Sequence, residues 1–144
     1  MNLHMYTHIL HATDLSETHF HLCEQAVEIA KKFNASFYLL HVIEPPASLQ
    51  LAQGLGFAEF DAPVKEDAEA VLQTLAEAFH IPCEHVFVEV GAIKSQTLEK
   101  ISALQCDLLI IGGHHHTKIP TLLGNVAKEL TEAATCDVLT TKAI

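Results

Sequence analysis

Asp107-Leu108-Leu109-Ile110-Ile111-Gly112-Gly113 is an unbroken apolar run that opens on an acid and closes on paired glycines. A run of this kind suits a strand covered on both faces, as in a parallel sheet between helices. Past the glycines comes a loop, and then Leu122, Leu123, Val126, Ala127, Leu130 and Ala133 recur at helical spacing. Asp137-Val138-Leu139-Thr140-Thr141 reads as another strand. Strand, helix and strand in this order form a crossover unit, which requires the two strands to lie parallel.

The same unit repeats toward the N-terminus. Tyr6-Thr7-His8-Ile9-Leu10-His11-Ala12 predicts a first strand, and Cys23, Ala26, Val27, Ala30 and Phe33 predict a helix from about Glu17 to Asn34. Ser36 to Val42 is a second apolar strand, stopped by Glu44-Pro45-Pro46. Val64, Ala68, Val71, Leu72, Leu75, Ala76 and Phe79 set a second helix, His85 to Val90 a third strand, and Ile93, Thr97, Leu98, Ile101 and Leu104 a third helix. The connector from Glu44 to Pro63, with Gly54, Gly56 and two phenylalanines, reads equally as a binding loop or as a surface excursion covering the sheet edge. Four strand–helix repeats and a last strand predict an α/β fold with a parallel sheet between two helical layers, in one domain spanning residues 1–144. Ligands in such sheets bind at the carboxyl ends of strands where the strand order reverses. Those ends carry Ala12-Thr13-Asp14, Val42-Ile43, Val90-Gly91 and Gly112-Gly113.

Composition narrows the partners. Eighteen acids against 8 bases give a net charge of −10, which argues against nucleic acid, whose binding rests on clustered Lys and Arg. A small phosphorylated ligand stays open, because backbone amides bind phosphate whatever the net charge. No apolar run approaches a membrane span, and Met1 to Met5 shows no secretory pattern, so the expected compartment is the cytoplasm with no membrane partner. Cys23, Cys83, Cys106 and Cys136 form no CxxC pair and read as reduced cysteines in or near the core. His114-His115-His116, with His11 on the neighbouring strand, invites a metal reading. Consecutive side chains diverge, however, and no HxxxH or carboxylate spacing closes a site, so no metal of the protein's own is expected. His19 and His21 read as surface residues, and His41 as a strand histidine satisfied by one hydrogen bond. No GxSxG elbow, GxxxxGK[ST] loop or Cys–His pairing supports a catalytic assignment.

Tyr6 to Glu17, Leu39-Leu40-His41-Val42, Asp107 to Ala127 and Cys136-Asp137-Val138-Leu139, taken together and in this order, resemble the universal stress protein family. The resemblance implies a three-layer α/β/α sandwich, adenine nucleotide α-hydrolase-like, whose five-stranded parallel sheet has the order 3-2-1-4-5. It implies a homodimer through the last strand, at Val138, Leu139 and Thr140, and a role in stress survival. Nucleotide-binding members carry Gly-x-x-Gly, a spacer, then Gly-Ser or Gly-Thr. Here Gly112 and Gly124 match, His115 stands at the second glycine, Asn125 stands at the Ser/Thr, and the spacer is one residue short.

Carried over position by position, Ala12 and Thr13 would line the base pocket and Asp14 would accept from the ribose or adenine side. Val42 would meet the adenine edge through its backbone. Ile111 and Gly112 would contact ribose or phosphate, and Gly124, Asn125 and Val126 would present amides to phosphate. His115 adds a ring where the family has none, yet its ring N–H suits a phosphate; Asn125 can cap the helix and donate. Asp14 reads as well as a helix cap. The expected function is a non-catalytic stress sensor or adaptor binding AMP or ATP, with Mg when the ligand is ATP. The alternatives are a stress protein that works through dimer and protein contacts without nucleotide, which His115 and Asn125 favour, and an ATP-hydrolysing enzyme of the same fold.

Overall fold

The computed structural model describes residues 5–16, 18–45, 62–113 and 122–142. The elements are β1 (His8–Ala12), α1 (His19–Phe33), β2 (Ser36–Ile43), α2 (Ala62–Phe79), β3 (Val86–Val90), α3 (Ile93–Leu104), β4 (Leu108–Gly113), α4 (Leu122–Ala133) and β5 (Asp137–Lys142), with a short 3-10 turn at Cys83–His85. All strand pairs are parallel and the order is β3-β2-β1-β4-β5, as the alternation and the resemblance together imply.

Period-two alternation divides the strand residues between two cores. Leu10, Leu40, Val42, Leu109 and Ile111 pack with Ile101 of α3 and with Val126 and Leu130 of α4. On the other face Ile9, Leu108 and Ile110 meet Ala26 and Ala30 of α1, while Leu39 meets Leu72, Leu75 and Ala76 of α2. Helices thus cover both faces, which completes the three layers.

Element starts differ from the periodicity, for local reasons. Tyr6 and Thr7 precede β1, because the Thr7 and His8 amides donate to the Asp107 carboxylate at 2.9 and 3.1 Å. Burial pushes that carboxyl up, but the hydrogen bonds from Thr7 and His8 outweigh it and hold Asp107 below the ordinary carboxylate value. Helix α1 begins at His19 rather than near Glu17, after a turn stapled by its own side chains. Asn34 then ends it in the left-handed conformation, with its amide on Ala30 and Lys31 carbonyls.

Cys23 and Cys106 are buried, and burial pushes both thiols to about 12, which keeps them protonated and inert. Cys136 is half-buried. Cys83 departs from the expectation of a core cysteine: it is exposed, with its thiol on the Glu84 carboxylate at 3.3 Å. No helix of the described residues is long and apolar enough to cross a membrane. No group of three or more His, Cys, Asp or Glu among them could hold a metal ion, and His114 to His116 lie outside the described residues.

His11 sits mid-sheet at 1% exposure. Its Nδ1–H donates to the Ile110 carbonyl at 3.0 Å, and its ring stacks on Phe37. Nε2 is buried with no hydrogen-bond partner among the described residues. Burial drives the pKa from 6.5 to about 4, opposed in part by the Ile110 carbonyl and the Asp14 charge. Neutral His11 is therefore a condition of the packed sheet.

A proton binds His11 in the unfolded chain below pH 6.5 but in the folded one only near pH 4. Its contribution to stability is therefore complete above 6.5 and is lost as the pH falls toward 4. Urea unfolding should show about 2 kcal/mol less stability at pH 5 than at pH 7 from this group alone. His11→Gln should be less stable at pH 7 and lose that part of the slope; an unchanged slope would refute the assignment.

Candidate functional site

The site follows from unequal strand lengths. β1 stops at Ala12, opposite Leu40 on one side and Ile111 on the other. β2 continues to Ile43, paired with Val90, and β4 continues to Gly113, paired with Lys142. Past Ala12 a notch therefore opens between β2 and β4, at the point where the strand order reverses. Within it the peptide groups of Val42 on the β1 side have no strand opposite among the described residues.

The chain leaves β1 through a tight turn. The Thr13 amide donates to the Leu40 carbonyl at 2.9 Å, and the Thr13 carbonyl accepts from His41 Nδ1 at 2.8 Å. Thr13 Oγ1 accepts the Leu15 amide and Asp14 Oδ1 the Ser16 amide, at 3.2 and 3.0 Å. Leu15 sits at φ 56, a left-handed conformation that costs a leucine on the order of 1 kcal/mol. Asp14 is thus a turn residue, four positions short of the Thr18 that precedes α1, and not the cap of that helix. The turn holds the Asp14 side chain beside the notch. His41 is satisfied by a single hydrogen bond, as its strand position implied; His19 is half-buried rather than superficial, with Nδ1 on the Ser16 carbonyl.

A cavity of about 310 Å³ occupies the notch. Ala12, Thr13 and Asp14 line it from β1, Val42, Ile43 and Glu44 from β2, and Ile93 and Thr97 from α3. Four residues nominated from the sequence, Ala12, Thr13, Asp14 and Val42, therefore share one wall system. Ile111 and Gly112 are buried on the adjoining strand, Ile111 directly beside Ala12. Gly124 and Asn125 lie in the first turn of α4, and Val126 turns its side chain into the core at 8% exposure. His115 lies outside the described residues. A larger concavity of about 620 Å³ runs between α1 and β5, along Gln25, Ile29, Lys32 and Thr141, and no nominated ligand residue reaches it.

Sequence reading missed Glu44 and Thr97 as site residues. Glu44 Oε2 accepts the Ile93 amide at 2.9 Å and so caps α3 from another strand, because Ala92 has no capping group. Nothing local marks that role. Thr97 left a faint signal, a hydroxyl within the apolar stripe Ile93-Thr97-Ile101.

Gly112 does a job that the glycine pattern did not reveal. A Cβ there would stand 2.5 Å from Leu22 Cδ1, the free end of a side chain of α1, so that side chain packs directly over the glycine.

The sequence profile of the universal stress protein family matches residues 5–142. Universal stress protein A homolog 1 of Coxiella burnetii is 32% identical over 139 residues, covering 93% of this chain and 94% of that protein. Universal stress protein C of Salmonella typhimurium is 29% identical, with 93% and 94% covered. Among solved structures, MJ0577 superposes with a TM-score of 0.76 at 21% identity, over 97% of this chain and 98% of the other. A universal stress protein in complex with cAMP superposes at 0.61 with 18% identity, over 94% and 97%.

The Leu22 contact makes Gly112→Ala a stability variant. Denaturation without any ligand should show a loss of about 1 kcal/mol, the low end of overpacking a core, because only the end of the Leu22 side chain must move. Unchanged stability would mean that Leu22 swings aside freely and that the glycine serves something else.

Proposed function

Since the chain belongs to the universal stress protein family, we propose that it binds an adenine nucleotide, AMP or ATP, in the notch past β1 and acts as a non-catalytic sensor or adaptor. The observation that carries this reading is the convergence of Ala12, Thr13, Asp14 and Val42 on one cavity at the reversal of strand order. The unopposed peptide groups of Val42 supply a donor and an acceptor for the edge of a heterocycle. The Asp14 carboxylate accepts from ribose hydroxyls. Ile111 and Gly112 border the ribose in this reading, and the start of α4, up to Gly124, offers unpaired helix-terminal amides to phosphate, whereas the Asn125 and Val126 amides bond within the helix. His115 adds a ring donor there in this reading.

Amides at the start of α4 suit phosphate in this reading, and ATP would bring Mg to offset its charge. A structurally similar family member is in complex with cAMP, which supports the ligand class. The cytoplasm is the compartment we assign with this reading.

The open edge of β5 favours a second component, a homodimer through Val138, Leu139 and Thr140. β5 ends the sheet, and Leu139 is 38% exposed on it. Unpaired edges recruit partner strands. If nucleotide is absent, this surface is what remains for function.

Calorimetric titration with AMP, ATP and cAMP should show binding, and silence at millimolar ligand would remove the nucleotide reading. Asp14→Ala should weaken binding roughly tenfold or more, the scale of a hydrogen bond to a charged group. Asp14→Asn keeps an acceptor for the Ser16 amide and separates charge from turn geometry. For the second component, truncation after Cys136 should give monomer or aggregate by light scattering; a persistent dimer would exclude the β5 edge.

A further inference from the structure

We propose that Thr97 is a specificity residue, its hydroxyl reserved for the buried edge of the bound base; the inference rests on the nucleotide reading above. Thr97 is fully buried at 0% exposure, and its Oγ1 has no hydrogen-bond partner among the described residues. Helical threonines ordinarily return the hydroxyl to the carbonyl four residues back. Two others in this chain do so: Thr74 donates to Ala70 at 3.1 Å and Thr131 to Ala127 at 2.7 Å. Thr97 does not take up the Ile93 carbonyl in the same way.

A buried hydroxyl left unpaired is costly, and valine would fill the same shape without that cost. The cavity is where a partner can arrive, because Thr97 forms part of its wall, one helical turn beyond Ile93. Its place there identifies which part of the ligand it meets. Thr97 belongs to the α3 side, with Val42 and Glu44, whereas the proposed nucleotide reading puts phosphate on the β4 and α4 side. Glu44 already accepts the Ile93 amide, which leaves the threonine hydroxyl as the adaptable group on this wall. A hydroxyl donates or accepts, so it pairs with a ring nitrogen or an exocyclic amine and disfavours a ligand offering only carbon at that edge.

The test reads stability and affinity together in Thr97→Val, Thr97→Ala and Thr97→Ser. Thr97→Val should raise the melting temperature of the unliganded protein by about 2–4 °C by removing an unpaired hydroxyl. It should at the same time weaken AMP binding roughly five- to tenfold. Thr97→Ala should lose affinity similarly whatever its stability, and Thr97→Ser should keep it within about twofold. Against a set of AMP analogues, each lacking one ring nitrogen or the amine, the gap between wild type and Thr97→Val should close for one member.

Wild-type affinity in both Thr97→Val and Thr97→Ala would overturn the inference and leave the nucleotide reading standing. An equal gap for every analogue would do the same, since the hydroxyl would then not meet the base. A wild-type protein silent toward AMP, ATP and cAMP would overturn both.

Discussion

The register of β1 between β2 and β4 is the constraint on which the rest of the molecule depends. A five-residue strand is held between two longer ones, and both of its ends are pinned by specific hydrogen bonds. At its start Asp107 takes the Thr7 and His8 amides; at its end the Thr13 amide reaches Leu40. A slip of one residue would exchange its two faces, sending Ile9 and His11 toward α3 and α4 and Leu10 toward α1. The two cores, assembled from opposite faces of the same strand, allow one register only.

From that register the notch follows without further design. Because β1 stops while β2 and β4 continue, the sheet leaves peptide groups of β2 unopposed and a cavity at the reversal of strand order. The same strand carries His11 inward, where it survives as a neutral ring with one nitrogen on the Ile110 carbonyl. Fold and site therefore share a few residues, and the Asp14 charge acts on both, partly offsetting the burial of His11 while it borders the cavity.

The alternation of strands and helices was legible because fully buried strands and amphipathic helices leave distinct periodicities. Asp107 to Gly113 alone nearly decides the architecture. Part of the lining of the candidate cavity was legible too: Ala12, Thr13, Asp14 and Val42 stand at or just past strand ends, and strand ends are visible in a sequence. The rest depended on contacts between segments far apart. Glu44 acts by capping a helix 49 residues away, and the start of β1 is set by a carboxylate about 100 residues away. The contact of Gly112 with Leu22 was invisible for the same reason, because Leu22 lies on another element.

If Gly112 is held by helix packing, its presence would persist in a chain that had lost its ligand, and it carries little information about nucleotide. Helix starts are similarly ambiguous, since any α4 exposes amides in its first turn. A buried hydroxyl is different. Thr97 contributes nothing to the core that valine would not, and it forgoes the carbonyl that Thr74 and Thr131 use. On our proposal, an unpaired hydroxyl on a residue of the cavity wall has its compensation in what the cavity holds. Of the features around this notch, the orphaned hydroxyl of Thr97 therefore bears most directly on the proposal of an occupant.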